Sequence, residues 1–247
     1  MTAQATTGGH TPEVAGVRAI VFDTFGTVVD WRSGVTRKLA DWGRERGVQA
    51  DWAALADAWR ARYAPGLGEV RDGTLPWTIL DDLHRRSLLQ VIDDAGLPAL
   101  SPADQDRLVS AWHRLDPWPD AAPGLTRLRA THLIGPLSNG NTSLLVDLAR
   151  HGGLPWDVVL GSDVYRHYKP DAETYLGFCG YFRFDPAQVM LAAAHPPDLD
   201  AARALGLRTA YLPRPLEHGP GRAFQQAEGP WDITATDIED LAGRMGT

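Results

Sequence analysis

The sequence predicts an α/β fold: a parallel-sheet core with helices on both faces, and an all-helical block inserted after the first strand. Three observations carry that expectation. An apolar run, Val17–Phe22, ends abruptly at a lone acid, Asp23. Helical patterns then dominate as far as Trp112. From His132 onward strand-like and helix-like segments alternate, as they do where helices carry the crossovers of a parallel sheet.

Taken in order, Val17–Asp23 is rich in β-branched residues and reads as a buried strand. In Asp51–Tyr63 the residues Trp52, Leu55, Ala56, Trp59 and Tyr63 recur at helical spacing, with Asp51 as N-cap. Pro76–Ala95 reads as a long helix stopped by Gly96 and Pro98. Ser101 caps a further one, with Pro102 at its first position. Asp116–Asp120 breaks the pattern as a linker. The later strands are His132–Leu137, Val158–Ser162, Gln188–Ala194 and Arg208–Leu212. The helices between them are Thr142–His151, Ala172–Tyr181 and Leu199–Leu205. Pro213–Pro230 reads as a surface excursion, and a last helix lies near Ile238–Met245. The expected organisation is a mobile tail over 1–16, a Rossmann-like core from 17–30 and 119–247, and a helical cap over 31–118.

A chain of 247 residues, 44% hydrophobic and 22% charged, is long enough for one sizeable core domain with an insertion. Its net charge of −7 gives no basic footprint for nucleic acid. No stretch approaches the ~18–20 apolar residues of a membrane span. Residues Met1–Gly16 lack the apolar segment of a signal peptide, so the expected setting is cytoplasmic. The one cysteine, Cys179, excludes an internal disulfide and a cysteine-based zinc cluster. His151, His167 and His195 show no metal-ligand spacing. Neither a metal nor a cofactor is expected.

In an open parallel sheet, ligands bind at the carboxyl ends of the strands. Here the first strand ends at Asp23 and Thr27, and the His132 strand at Ser138-Asn139-Gly140. Lys169 follows the next strand, and the Gln188 strand ends at His195-Pro196-Pro197-Asp198. Singly, each is an ordinary turn or helix start. Together they bring an acid, a hydroxyl with an amide, a lysine and a second acid to one edge.

That ordered set resembles the haloacid dehalogenase superfamily, and most closely its L-2-haloacid dehalogenases. The matching pieces are Phe-Asp-Thr-Phe-Gly-Thr, Leu-Ser-Asn-Gly, Tyr-Lys-Pro-Asp-x-x-x-Tyr and the acid at Asp198. The resemblance implies hydrolytic dehalogenation of short 2-haloacids to 2-hydroxy acids. Asp23 would attack the carbon bearing the halogen and form an aspartyl ester, which water then cleaves. Lys169 would hold Asp23 ionised, Thr27 would orient it, and Asp198 would position Lys169 and help polarise the water. Ser138, with the backbone at Thr24 and Phe25, would take the substrate carboxylate. Asn139 and Arg60 would face the halide, and Tyr175 falls at the family's tyrosine position. Arg62 competes with Arg60 for the halide side. A homodimer is implied by the same likeness.

The chain also departs from that pattern. The family's Ser-x-Asn-x-aromatic-Asp run is Ala193-Ala194-His195-Pro196-Pro197-Asp198 here. The hydroxyl is lost, and His195 becomes the candidate to handle water, as donor or general base. Two rival readings are a magnesium-dependent phosphatase of the superfamily and a catalytically weak interaction protein. The first needs a second acid two residues after Asp23, where Phe25 stands. The altered fourth motif leaves room for the second.

Overall fold

The computed structural model describes residues 14–247. Five strands form one parallel sheet in the order β2-β1-β3-β4-β5. They are β1 (Ala19–Phe22), β2 (Leu133–Pro136), β3 (Val189–Ala193), β4 (Arg208–Tyr211) and β5 (Ile233–Thr234). β1 is an interior strand, with Phe22 beside Pro136 on one side and Ala192 on the other. The chain winds to one side of β1 for β2 and to the other for β3. The carboxyl end of β1 is therefore the switch point at which such sheets bind ligands.

Between β1 and β2 lie α1 (Trp31–Arg46), α2 (Trp52–Ala61), α3 (Tyr63–Arg71), α4 (Leu80–Asp94), α5 (Pro102–Val109), a 3₁₀ turn at Ser110–His113, and α6 (Ala121–Arg129). Beyond β2 come α7 (Thr142–Gly152), α8 (Ser162–Tyr165), α9 (Ala172–Phe182), α10 (Pro196–Ala204) and α11 (Ile238–Arg244). Side-chain caps start several of them. Asp30 accepts from the Ser33 amide, Asp51 from Ala54 and Ser101 from Asp104. Each such cap stabilises its helix by about 1 kcal/mol.

The sheet separates two apolar layers. Ile20, Phe22, Met190 and Ala192 face a cluster with Leu125 of α6, Leu144 and Leu148 of α7 and Leu241 of α11. Val21, Leu191 and Ala193 face the other way, onto Tyr175 and Phe178 of α9 and Leu199 of α10. The first layer runs on without a break through Phe25, Trp31 and Trp112 into the helices before α6. Those helices are held over the strand ends by polar ties. Asn141 donates to Asp81 at 2.9 Å, the Tyr168 hydroxyl to Thr78 O at 2.6 Å, and Arg71 pairs with Asp171 at 2.7 Å.

The structure differs from the sequence reading in several places. Val158–Ser162 is not a strand: one isolated bridge joins Leu137 to Leu160, and Ser162 already begins α8. The amide of Ile134 on that edge of β2 is taken by the Asp157 side chain, and Pro136 has no N–H to donate. The helix expected at Pro76–Ala95 begins at Leu80. α10 begins at Pro196, ahead of the expected Leu199, because proline suits the first turn. The tail expected over 1–16 falls outside the described residues as far as residue 13. From Val14 the chain is a turn, and Val14 is buried. No helix among the described residues is long and apolar enough to cross a membrane.

Candidate active site

Asp23 follows β1 directly, and its amide still donates to Ala192 O of β3 at 3.1 Å. The sheet thus fixes the backbone while the side chain turns out of the strand end. A turn then closes through Gly26, whose φ of +86° suits glycine. The carboxylate enters a cavity of about 490 Å³ that lies between the strand ends and the α2–α3 corner.

Lys169 sits between two acids, with Nζ 2.6 Å from Asp198 and 3.5 Å from Asp23. Its own amide donates to Asn139 Oδ1 at 2.7 Å, which ties the loop before α9 to the end of β2. Tyr175, fully buried in α9, donates its hydroxyl to the second oxygen of Asp198 at 2.6 Å. Asp23 has further donors on Oδ2. The Thr27 hydroxyl lies at 2.8 Å and His195 Nδ1 at 2.9 Å. His195 Nε2 faces Glu217 at 3.0 and 3.1 Å, and Trp31 Nε1 donates to that same glutamate at 3.1 Å.

Burial alone would push the Asp23 carboxyl up. Lys169, His195 and Thr27 outweigh it and hold the group well below the usual carboxylate range. Burial also opposes charge on Lys169, but Asp198 and Asp23 keep its ammonium raised. Asp198 goes the other way: burial, helped by the nearby Asp23, pushes it up against the pull of Lys169. The lysine is closer to Asp198 yet the proton affinity of the trio collects there, because Asp23 has the extra donors. Burial disfavours a charged His195, but its bonds to Asp23 and Glu217 push it up to about 10. Glu217 is lowered, His195 outweighing burial.

The far wall is aromatic and cationic. The Arg60 guanidinium lies over the Tyr63 ring at 4.0 Å and the Trp31 ring at 5.5 Å, and its Nη1 is buried without a partner. The Tyr63 hydroxyl neighbours the Asn139 amide. Phe25 packs edge-on against Trp112 at 5.7 Å, and Trp112 in turn meets Trp59 and His84. Among the described residues, no group of three or more His, Cys, Asp or Glu is arranged to hold a metal ion.

Of the residues singled out from sequence, Asp23, Phe25, Arg60, Asn139, Lys169, Tyr175, His195 and Asp198 line one cavity. Thr27 reaches it through Asp23. Thr24 and Ser138 stand behind the wall. The Ser138 hydroxyl accepts from the Gly140 amide at 3.2 Å, and Thr24 Oγ1 is buried without a partner. Arg62 turns away to Asp94. Two polar residues of the site were not anticipated: Tyr63, which lines the cavity, and Glu217, which meets His195. Tyr63 opens α3, three residues after Arg60 near the end of α2. Glu217 belongs to the Pro213–Pro230 excursion, which leaves the carboxyl end of β4 and carries no local pattern that marks the side chain as inward-facing.

A family model described as haloacid dehalogenase-like hydrolase matches residues 17–206. The chain is 32% identical over 209 residues to (S)-2-haloacid dehalogenase 4A of Burkholderia cepacia, covering 81% of this chain and 85% of that protein. The crystal structure of a defluorinating L-2-haloacid dehalogenase matches with a TM-score of 0.93 and 47% identity, over 97% of this chain and 99% of that one. A second L-2-haloacid dehalogenase structure matches with a TM-score of 0.89 and 48% identity, over 93% and 99%.

Proposed function

The chain belongs to the haloacid dehalogenase-like hydrolase family, and on that premise we propose that it is a hydrolase of carbon–halide bonds that converts short 2-haloacids to 2-hydroxy acids. The observation that carries this reading is the state of Asp23. Its carboxyl is held well below the usual carboxylate range, is nearly dry and faces a cavity beside Lys169, with Phe25 in place of a second acid. A carboxylate stripped of water is a competent nucleophile. A halide leaving group needs no proton, so an aromatic at Phe25 costs the reaction nothing, whereas a phosphate ester would lose its general acid.

In the first step Asp23 Oδ1 attacks C2 of the substrate from the face opposite the halogen. The C–halogen electron pair leaves with the halide. Arg60, Tyr63 and Asn139 stand where that charge develops, and a free guanidinium N–H is suited to receive it. The backbone amides after Asp23 hold the substrate carboxylate. In the second step water cleaves the ester at Cγ and frees the 2-hydroxy acid. Lys169 and Tyr175 hold Asp198 in position for that water. Residues 31–118 form the cap in this proposal, and the enzyme acts as a cytoplasmic homodimer. Fluoride is included among the leaving groups, a choice supported by the defluorinating relative.

Halide release from 2-haloacids and phosphate release from an aryl phosphate, each with and without chelator, test the reading. Halide release that survives chelation and disappears in Asp23→Asn is expected. Magnesium-dependent phosphate release without halide would sink it, and neither activity would leave an interaction protein.

A further inference from the structure

We propose that His195 serves the aspartyl ester as a cationic hydrogen-bond donor to the Asp23 carbonyl oxygen, fixed in that form by Glu217, and not as the base that deprotonates water. The proposal rests on the reading of Asp23 as nucleophile and concerns the step after it.

The geometry of the ring carries the argument. Nδ1 meets Asp23 Oδ2 at 2.9 Å, and Nε2 meets both oxygens of Glu217 at 3.0 and 3.1 Å. Carboxylates accept and do not donate. A neutral imidazole has one N–H and would leave one nitrogen lone pair against a carboxylate. The imidazolium alone satisfies both contacts. A general base needs a free lone pair, and this ring presents none.

The two oxygens of Asp23 are also unequal. Thr27 Oγ1 accepts from the Ala194 amide at 2.9 Å, so its own proton points to Oδ2 at 2.8 Å. Oδ2 therefore holds two donors, while Oδ1 has Lys169 at a looser 3.5 Å. The less encumbered Oδ1 makes the bond to the substrate, and Oδ2 remains as the ester carbonyl. Its two donors are already aimed at the atom on which charge next appears, the arrangement of an oxyanion hole.

A water oxygen adds to Cγ, and the carbonyl π pair moves onto Oδ2, between Thr27 and His195. The water proton passes to Asp198, whose carboxyl burial pushes up and so makes a better acceptor. The Oδ2 pair then reforms the carbonyl, the Cγ–Oδ1 bond breaks, and the departing alkoxide takes the proton back from Asp198. The second water proton, left on the new Asp23 oxygen, passes to the freed Asp198 and on to solvent, so that Asp23 is again a carboxylate and the product a neutral hydroxyl.

Esterification removes one of the two carboxylates that support the imidazolium. Glu217 remains, buried and tethered by Trp31 Nε1 at 3.1 Å. The other charged or titratable groups around the ring are His218 beside Glu217, and Lys169 with Asp198 across the Asp23 carboxylate. In the resting enzyme the two carboxylates overcome burial and hold His195 at about 10. Glu217 is thus a positioning residue that acts through the ring.

Single-turnover reactions with 2-chloropropionate, quenched and read by intact mass for the Asp23 ester and by halide release, test this. His195→Ala should release halide in a burst yet accumulate ester, its hydrolysis slowed ~10²–10³-fold, the cost of losing one such donor. The burst itself reports a folded, alkylating enzyme. His195→Asn keeps a donor in the Nδ1 position but has no basicity, so it should restore most of the hydrolysis. In the parent enzyme ester hydrolysis should fall as pH rises through the imidazolium titration, and Glu217→Gln should move that fall to lower pH. A His195→Asn enzyme that traps ester as fully as His195→Ala, or a rate that rises with pH through the same titration, would overturn the proposal and restore the base. No burst and no ester in any variant would instead refute Asp23 as nucleophile, and this inference with it.

Discussion

Gly26 leaves empty the space that the Glu217 carboxylate fills: a Cβ built on Gly26 would collide with Glu217 Oε1 and Cδ. The turn after Asp23 and the loop after β4 are thus matched across the site, although 191 positions separate them in the chain (217 − 26). Gly26→Ala meets two costs, a left-handed φ of +86° and the displaced glutamate. It should lower stability by about 1–2 kcal/mol, mostly from the backbone. It should also slow ester hydrolysis more than halide release. Denaturant melts and the two single-turnover phases measure these separately.

Asp23 titrates below the ordinary carboxylate range because its cationic and hydroxyl partners favour the charged form over burial. A depressed pKa contributes stability above the unfolded value, lost as pH falls through the folded one. The nucleophile likewise stays ionised under acid that would protonate a free aspartate. The halide burst should therefore keep its amplitude below pH 4. Lys169→Met removes the largest favourable charge, so burial dominates and the acid limb of the burst should move upward in pH. An unmoved limb would separate Lys169 from the activation of Asp23.

Arg60 and Arg62 are two residues apart and differ in surroundings. Arg60 has an unpartnered buried Nη1 at the cavity, and Arg62 is paired with Asp94. Arg60→Ala should slow halide release by ~10²–10³-fold, the usual effect of deleting a donor to developing charge. Arg62→Ala, at an exposed ion pair, should change the rate by less than about twofold. Equal losses in both would deny the distinction.

Tyr63 presents a hydroxyl beside Asn139 on the same wall. Tyr63→Phe keeps the ring under Arg60 and deletes only the polar handle. Its effect should grow from bromide to chloride to fluoride, since the smaller halide is the stronger hydrogen-bond acceptor. Relative rates on the three haloacetates read this out.

His113 bridges the helical block and α7, with Nε2 on Asp81 at 3.0 Å and Nδ1 on Asp147 at 2.8 Å. Burial opposes its charge, but the two carboxylates raise its pKa above the ordinary value. This contribution is fully present below about pH 6.5, the unfolded value, and is lost as pH rises through the raised one. The melting temperature should fall across that window, and His113→Gln should flatten the fall.

The chemistry-bearing strand ends were legible because each is local: an apolar run stopped by Asp23, a turn at Ser138-Asn139, a helix start at Lys169-Pro170, an acid at Asp198. The helices α9 and α10 were legible as segments between strand-like runs, whereas their packing on the same face of the sheet appears only in the fold. α3 was not, since Pro65, Gly66 and Gly68 hide a helix that tertiary packing around Leu67 maintains. β5 has two residues, too few to show a pattern. Glu217 was hidden for a different reason. Its partners are His195, 22 positions away, and Trp31, 186 away, and its own segment has no periodicity to mark an inward-facing side chain.

Asp23, Asp198 and Glu217 face Lys169, His195 and Arg60, so three negative groups stand against three positive ones. When a 2-haloacid alkylates Asp23, the carboxylate lost to the ester is replaced by the carboxylate the substrate brings. Once the halide has gone, the intermediate has the same net charge as the empty enzyme. The protein accordingly solves one electrostatic problem and not two: an arrangement of fixed charges that suits the resting site also suits the covalent state.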